Sequence, residues 1–358
     1  MNLNTKFDLY CWACDFSPNR GEGILARHYI KKLSKIKKKK IHIKSPDGVY
    51  IVHNGILKEY KVNRKNLSKL NLNFFENYLN PLLGILYLWT NYLKSRGLCY
   101  LNFLPLWNTL LFIFLPPKTH LGPITGFIYN KKIVGFNSFF RRHLNNFLFK
   151  ININFLFLRQ NKIYFSTDLL KNLITNKNKN KVFFNYLLQL VELKKNIKRK
   201  NYDFLIYNRN YSVKNNFLRD KILKIIIKMN LKILIIGDKI ILKKIKNVGF
   251  ISRKKVDLLL EKTKFIINSG ENPYNIFTID AFNNHVNIIY ENSLTNKVNY
   301  LDNKKIFFLD LNNNDKIINF LKQRKKKTIK QSKLNKNYKI LNNDSITYFK
   351  NIKITYSQ

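Results

Sequence analysis

The sequence predicts an α/β chain built on parallel, doubly wound sheets, and three apolar runs in its second half carry that prediction. Phe204–Tyr207, Leu231–Gly237 and Lys264–Ile267 read as buried strands that alternate with helical segments, the second stopped by a glycine. The first half opens the same way. A short apolar run, Phe7–Ala13, leads through a glycine turn into a helix with Ile24, Leu25 and Tyr29 on one face. Ligands of such sheets sit outside the carboxyl ends of the strands, so the loops that follow the strands are where chemistry is expected.

The most informative loop is Ser269-Gly270-Glu271-Asn272-Pro273. It places a small-residue turn and an acid after a strand, and a second acid, Asp280, stands nine positions on in what reads as the next helix. The start of that helix, at Ile276 and Phe277, offers unbonded N–H groups to a phosphate, and a carboxylate can clamp the paired hydroxyls of a ribose or hexose. An acid before a helix is also an ordinary N-terminal charge, so the loop gains meaning from what precedes it. Upstream, the strand Phe204–Tyr207 runs into Arg209, with Lys214 five positions later. Arginine forks onto two oxygens of a diphosphate while lysine supplies a mobile point charge. Solvated cations are the competing reading, because Lys and Arg abound throughout. Between these loops, Gly237 stops a strand, and Val248-Gly249-Phe250-Ile251-Ser252-Arg253 precedes a helix over Lys254–Lys262.

Two loops of the first half are candidates as well. Gly21-Glu22-Gly23 lies between the first strand and helix, where glycines either let a ligand approach the backbone or simply turn the chain. The segment lacks the third glycine of a dinucleotide fingerprint. Pro116–Gly126 follows the run Leu110–Leu115, read as a strand, and packs glycine, proline and hydroxyl residues around His120, Gly122 and Thr125. A rigid loop at a strand end suits a site, although a lone loop histidine is also an ordinary exposed residue.

In order, strand–Arg209–x4–Lys214, strand–Gly237, Gly249-Phe250-Ile251-Ser252 and Glu271…Asp280 resemble the donor half of the bacterial group 1 glycosyltransferases of GT-B architecture. The resemblance implies two Rossmann-like, doubly wound domains facing across a cleft. It implies that Arg209 and Lys214 hold the diphosphate of a nucleotide-sugar donor, which the amides at Ile276 and Phe277 would assist. Glu271 then contacts the transferred sugar and Asp280 the ribose. The family pattern is Glu-x7-Glu; here the second acid is one residue further on and one methylene shorter. More faintly, the resemblance places Gly21–Gly23, Gly122 and Thr125 in loops over the cleft and turns His120 toward the sugar. The implied activity is retaining transfer to a glycan or lipid-linked acceptor in surface polysaccharide biosynthesis. No Asp-x-Asp pair stands at a strand end, so neither metal nor cofactor is expected beyond the nucleotide-sugar co-substrate. A non-catalytic nucleotide-sugar-binding relative and a nucleic-acid-binding protein are the alternatives.

Composition bounds these readings. The 358 residues divide into an acceptor-side domain (1–193), a basic linker (194–201), a nucleotide-sugar-binding domain (202–322) and a Lys-rich stretch with a tail (323–358). The net charge of +46 would ordinarily indicate nucleic acid or an anionic surface. Here the excess is spread along the whole chain with abundant Asn and Ile, so no nucleic-acid partner is expected. An anionic membrane surface is a candidate partner, and Lys31–Lys40 is either a headgroup-binding or a merely solvated face. Cys11, Cys14 and Cys99 form neither a disulfide framework nor a zinc pair, which suits reduced cytosol. No cleavable signal peptide is expected, since the first ten residues carry polar and charged groups. Tyr100–Pro117 approaches the length of a membrane span but is broken by Asn102, Pro105 and Asn108. Tyr78–Lys94 reads as a core helix whose aromatic flank is a candidate for the membrane interface. The expected location is cytoplasmic, peripheral to the inner face of the membrane.

Overall fold

The computed structural model describes residues 7–62, 73–101, 109–124, 136–160, 162–209, 217–240, 245–268, 272–292, 301, 303–310, 313–325 and 331–352. They form two compact units. The first takes the described residues of Met1–Gly126, Phe139–Tyr186 and Asn343–Gln358, and the second those of Phe127–Ser138 and Leu187–Asn342.

In the first unit, β1 (Leu9–Trp12) is buried along its whole length and leads into α1 (Gly21–Lys37). A meander follows: β2 (Lys40–Ser45), β3 (Gly48–His53) and β4 (Ile56–Val62). Asn54 and Gly55 both adopt positive φ between β3 and β4, the two-residue Asn-Gly turn whose twist matches antiparallel strands. Next come α2 (Asn73–Tyr92), β5 (Leu98–Tyr100), α3 (Thr109–Phe114), β6 (His120–Leu121) and α4 (Phe136–Arg159). The sheet order is β4-β3-β2-β1-β5-β6, parallel from β2 to β6. Two short strands, β7 (Ile163–Tyr164) and β8 (Val182–Phe183), pair in parallel beside it.

Two expectations are corrected here. The run Leu110–Leu115 is helical, not a strand. A short apolar run has no period that separates a buried strand from a buried helix, and Pro116-Pro117 ends it in either case. His120 therefore opens β6 instead of following a strand. The helix expected as core at Tyr78–Lys94 is two-faced. Ile85 and Leu88 are buried beneath it, and Gly84 lies so close to Trp12 that a Cβ would meet its ring at 2.3 Å. Leu79, Leu82, Leu83, Leu86 and Trp89 line the opposite, exposed face. One sheet can bury only one side of a helix, and this helix is apolar on both.

The second unit begins with β9 (Tyr202–Asn208), α5 (Phe217–Lys228), β10 (Ile233–Gly237), β11 (Lys246–Gly249) and α6 (Arg253–Glu261). It continues with β12 (Thr263–Ile267), α7 (Ile276–Asn283), β13 (Asn287–Glu291), β14 (Ile306–Leu309) and α8 (Asn314–Lys325). All its strand pairs are parallel, in the order β11-β10-β9-β12-β13-β14. Counted from β9 this is 3-2-1-4-5-6, the doubly wound Rossmann order. Helices on both faces explain why the strands are continuous apolar runs, with Ile233–Gly237 buried throughout. Phe204, Ile206, Ile235, Phe265 and Ile289 form the centre of the core, closed by Ile222 and Ile226 of α5 and Leu321 of α8. The last helix, α9 (Lys336–Asn351), ends within the first unit. There Tyr348 stacks on Tyr164 at 4.6 Å and Phe349 packs at 5.2 Å from Tyr29.

Candidate functional site

In the second unit the chain reverses its direction of winding between β9 and β12, which pair side by side with Leu205 opposite Ile266. A crevice opens at the carboxyl ends of strands at such a reversal. Arg209 follows β9 directly and is exposed, with an interaction of its own. Lys214 and Glu271, in the loops after β9 and β12, lie outside the described residues.

The β9 end is held rigidly. Asn208 is fully buried; its side-chain amide donates to the Asp238 carbonyl at 2.8 Å and its Oδ1 accepts from Arg219 Nη1. The Asp238 amide returns a bond to the Asn208 carbonyl at 3.0 Å. Gly237 makes this possible, since its φ is +91° and a Cβ would lie 2.2 Å from that carbonyl oxygen.

The start of α7 is built from asparagines. Asn275 caps it, accepting from the Thr278 amide at 2.9 Å, and Asn272 Oδ1 accepts from the Tyr274 amide at 2.9 Å. Asn268, buried at the end of β12, donates to Thr278 Oγ1 at 2.8 Å, and the Tyr290 hydroxyl donates to the Pro273 carbonyl at 2.6 Å. The amides of Ile276 and Phe277 thus stand at the positive end of a firmly held helix, with no acceptor within that helix. The Phe277 ring lies 5.6 Å from Tyr207 of β9. β9 and α7 therefore meet at the carboxyl edge of the sheet.

Asp280, one turn along α7, is buried, and both its oxygens face Arg253. Nε donates to Oδ2 at 3.0 Å and Nη2 to Oδ1 at 2.6 Å. Burial pushes the Asp280 carboxyl above its ordinary range while Arg253 pulls it back. The two parallel N–H···O contacts are the bidentate geometry by which a guanidinium pairs with a carboxyl group.

In the first unit Gly21 and Glu22 are exposed in the opening turn of α1, whereas Gly23 is buried. A Cβ at Gly23 would sit 2.3 Å from the Ser17 carbonyl oxygen and 2.8 Å from Asp15 Oδ1. Close packing of loop on helix accounts for this glycine. Gly122 has a similar reason, its Cβ position falling 2.6 Å from the Leu101 carbonyl oxygen. The ends of β1 and β5 are tied by Cys14 Sγ, 2.9 Å from the Tyr100 hydroxyl, and burial pushes that thiol up to about 11. Thr125 lies outside the described residues. His120 has its Nε2 sealed from solvent without a hydrogen-bond partner among the described residues, and burial lowers its pKa to about 4. It is a neutral imidazole at physiological pH.

That shift carries a sign for stability. The unfolded histidine takes a proton near 6.5 and the folded one near 4. The stability held above pH 6.5 is therefore lost as pH falls toward 4, by up to about 3 kcal/mol. Replacing His120 by Asn should flatten the fall in melting temperature across that window, measured by circular dichroism. An unchanged pH profile would show that His120 is not buried neutral.

No protein-family model matches the chain, and no curated protein sequence matches it. Among solved structures, sucrose-phosphate synthase from Thermosynechococcus elongatus is similar, with a TM-score of 0.56 and 11% identity, covering 88% of this chain and 89% of that one. Anabaena Alr3699/HepE in complex with UDP and glucose gives 0.52 and 10%, covering 96% and 97%. A glycosyltransferase from Rickettsia africae gives 0.50 and 15%, covering 96% and 94%. The chain has the GT-B fold.

Of the residues named from sequence in the second unit, Arg209, Ile276, Phe277 and Asp280 lie at the carboxyl edge of one sheet. Sequence reasoning missed the asparagines that hold them. Asn272 and Asn275 flanking Pro273-Tyr274 carried a legible signal, an Asx turn followed by a helix cap. Arg253 was visible as the end of the Gly249–Ser252 motif, but no local pattern links it to an acid on another helix.

Proposed function

We propose that this chain is a nucleotide-sugar glycosyltransferase that transfers a sugar, with retention and without a metal, to a glycan or lipid-linked acceptor of a bacterial surface polysaccharide. The observation that carries the reading is the reversal between β9 and β12, where the end of β9 at Arg209 and the amide-bearing start of α7 share the carboxyl edge of one sheet. Arg209 and Lys214 neutralise the leaving diphosphate, and the amides of Ile276 and Phe277 add fixed dipoles aimed at charge that grows as the glycosidic bond breaks. Glu271 holds the transferred sugar, and the Asp280–Arg253 pair serves the ribose. His120 and the Gly21–Gly23 turn belong to the acceptor side. The similarity to HepE, a structure holding UDP and glucose, supports a UDP-sugar as donor. Purified protein should release nucleoside diphosphate from one member of a panel of UDP- and GDP-sugars in a coupled assay. The reading fails if no donor turns over and neither UDP nor GDP binds in titration calorimetry.

The membrane belongs to the same proposal. Among the described residues no helix is long and apolar enough to cross a bilayer. The exposed stripe of α2 continues into Ile113 and Phe114 of α3, joined to it by Trp89 Nε1 donating to the Phe114 carbonyl at 2.7 Å. Lys94 and Arg96 follow at the end of α2, in a chain of net charge +46, so the stripe suits the interface of an anionic bilayer. Flotation with vesicles containing phosphatidylglycerol should carry the protein, and Leu82→Glu with Leu86→Glu should weaken it about tenfold or more. Wild-type protein that ignores these vesicles removes the membrane from the proposal.

A further inference from the structure

The arrangement around Asp280 separates two roles that one carboxylate would otherwise combine. Its side chain is only 9% exposed, against 37% for Arg253. Both carboxylate oxygens already accept from the guanidinium. The neighbouring acid is satisfied without Arg253, because Asp257 accepts from Asn284 Nδ2 at 2.7 Å and from Lys194 Nζ at 2.6 Å. Of the five guanidinium N–H groups, two point at Asp280, which leaves three for other acceptors. Arg253 is the first residue of α6, so its backbone enters at the carboxyl edge of the sheet, where α7 also begins. Asp280 lies four residues beyond Ile276, about 6 Å along the helix. On the donor-site reading, with the phosphates at the α7 amides, the ribose falls to this pair one turn further along the helix.

We propose that Arg253 is the ribose-contacting residue of the nucleotide site, donating to the hydroxyl oxygens, and that Asp280 is its positioning residue. The inference rests on the donor-site reading above and changes what touches the sugar ring. A carboxylate accepts hydrogen bonds from ribose hydroxyls, whereas a guanidinium can only donate to them. The fork held by Asp280 is pre-set, so little side-chain entropy is lost when the nucleotide arrives.

The test is calorimetric binding of UDP and 2′-deoxy-UDP to the full chain. The wild type should prefer UDP by on the order of tenfold to a hundredfold. Arg253→Met removes one partner of a buried ion pair and is expected to cost stability. It is therefore made both alone and together with Asp280→Asn, the double variant leaving no buried charge unpaired. This double variant should bind UDP and 2′-deoxy-UDP alike, and Arg253→Lys should recover part of the preference. Asp280→Asn alone should weaken the preference less than Arg253→Met does, and should add nothing further in the Arg253→Met background. A merely structural ion pair would lower the melting temperature without changing the ratio of the two affinities, and that outcome overturns the inference. A further loss of preference from Asp280→Asn in the Arg253→Met background overturns it too, by showing that Asp280 grips the ribose itself. If the wild type binds UDP and Arg253 variants keep its preference, only the role of Arg253 falls. If the wild type binds neither UDP nor GDP, the donor-site reading falls with it.

Discussion

Arg209→Ala should lower turnover by about 30- to 1000-fold, the equivalent of roughly 2–4 kcal/mol of transition-state stabilisation. Arg209 leaves the end of β9 on a backbone clamped by Asn208, two residues after Tyr207, whose ring lies 5.6 Å from Phe277 of α7. A bidentate contact to a diphosphate strengthens as that group takes up the charge of the departing bond. Lys214→Ala should act on the same charge, and the two losses should be less than additive because they share one ligand. Steady-state kinetics with the donor found by screening reads the effect. A variant with unchanged turnover and unchanged donor affinity would remove Arg209 from the site. Raised ionic strength should also weaken donor binding, since the contact is between charges.

Gly237→Ala should destabilise the second unit by roughly 3 kcal/mol, a fall in melting temperature of about 6–12 °C. Two costs combine. The φ of +91° strains any residue bearing a Cβ, and that atom would lie 2.2 Å from the Asn208 carbonyl oxygen, which already accepts from the Asp238 amide. Relief requires moving the end of β9, so nucleotide binding should weaken along with stability. Gly249→Ala provides the contrast. Its φ of +76° is strained as well, but nothing lies within 4 Å of its Cβ position, so only about 1 kcal/mol is expected. Equal losses at the two glycines would show that the approach to Asn208 contributes nothing.

Residues whose structure depends on near neighbours were legible in the sequence. β9, β10 and β12 lie where the apolar runs Phe204–Tyr207, Leu231–Gly237 and Lys264–Ile267 place them, and α7 opens at Ile276 as its upstream turn requires. The helical α3 was not legible, because Leu110–Leu115 is too short and too uniformly apolar for a period to show. His120 changed position with it, from a loop after a strand to the first residue of β6. The exposed side of α2 was hidden for a related reason. A helix apolar on both faces looks like core until the number of surfaces packed against it is known.

By itself the sequence determined that the chain is α/β and that its second half is wound from parallel strands, with Arg209 directly after the first of them. These follow from hydrophobic period, glycine conformation and helix capping, which act over a few residues. Only the tertiary structure decided that β12 lies beside β9, so that the ends of strands more than fifty residues apart are neighbours. Only it decided that the carboxylate of Asp280 meets Arg253 on the preceding helix. Strand order and helix-to-helix pairing depend on which surfaces bury each other across the whole domain, and that choice leaves no local mark on the residues it brings together.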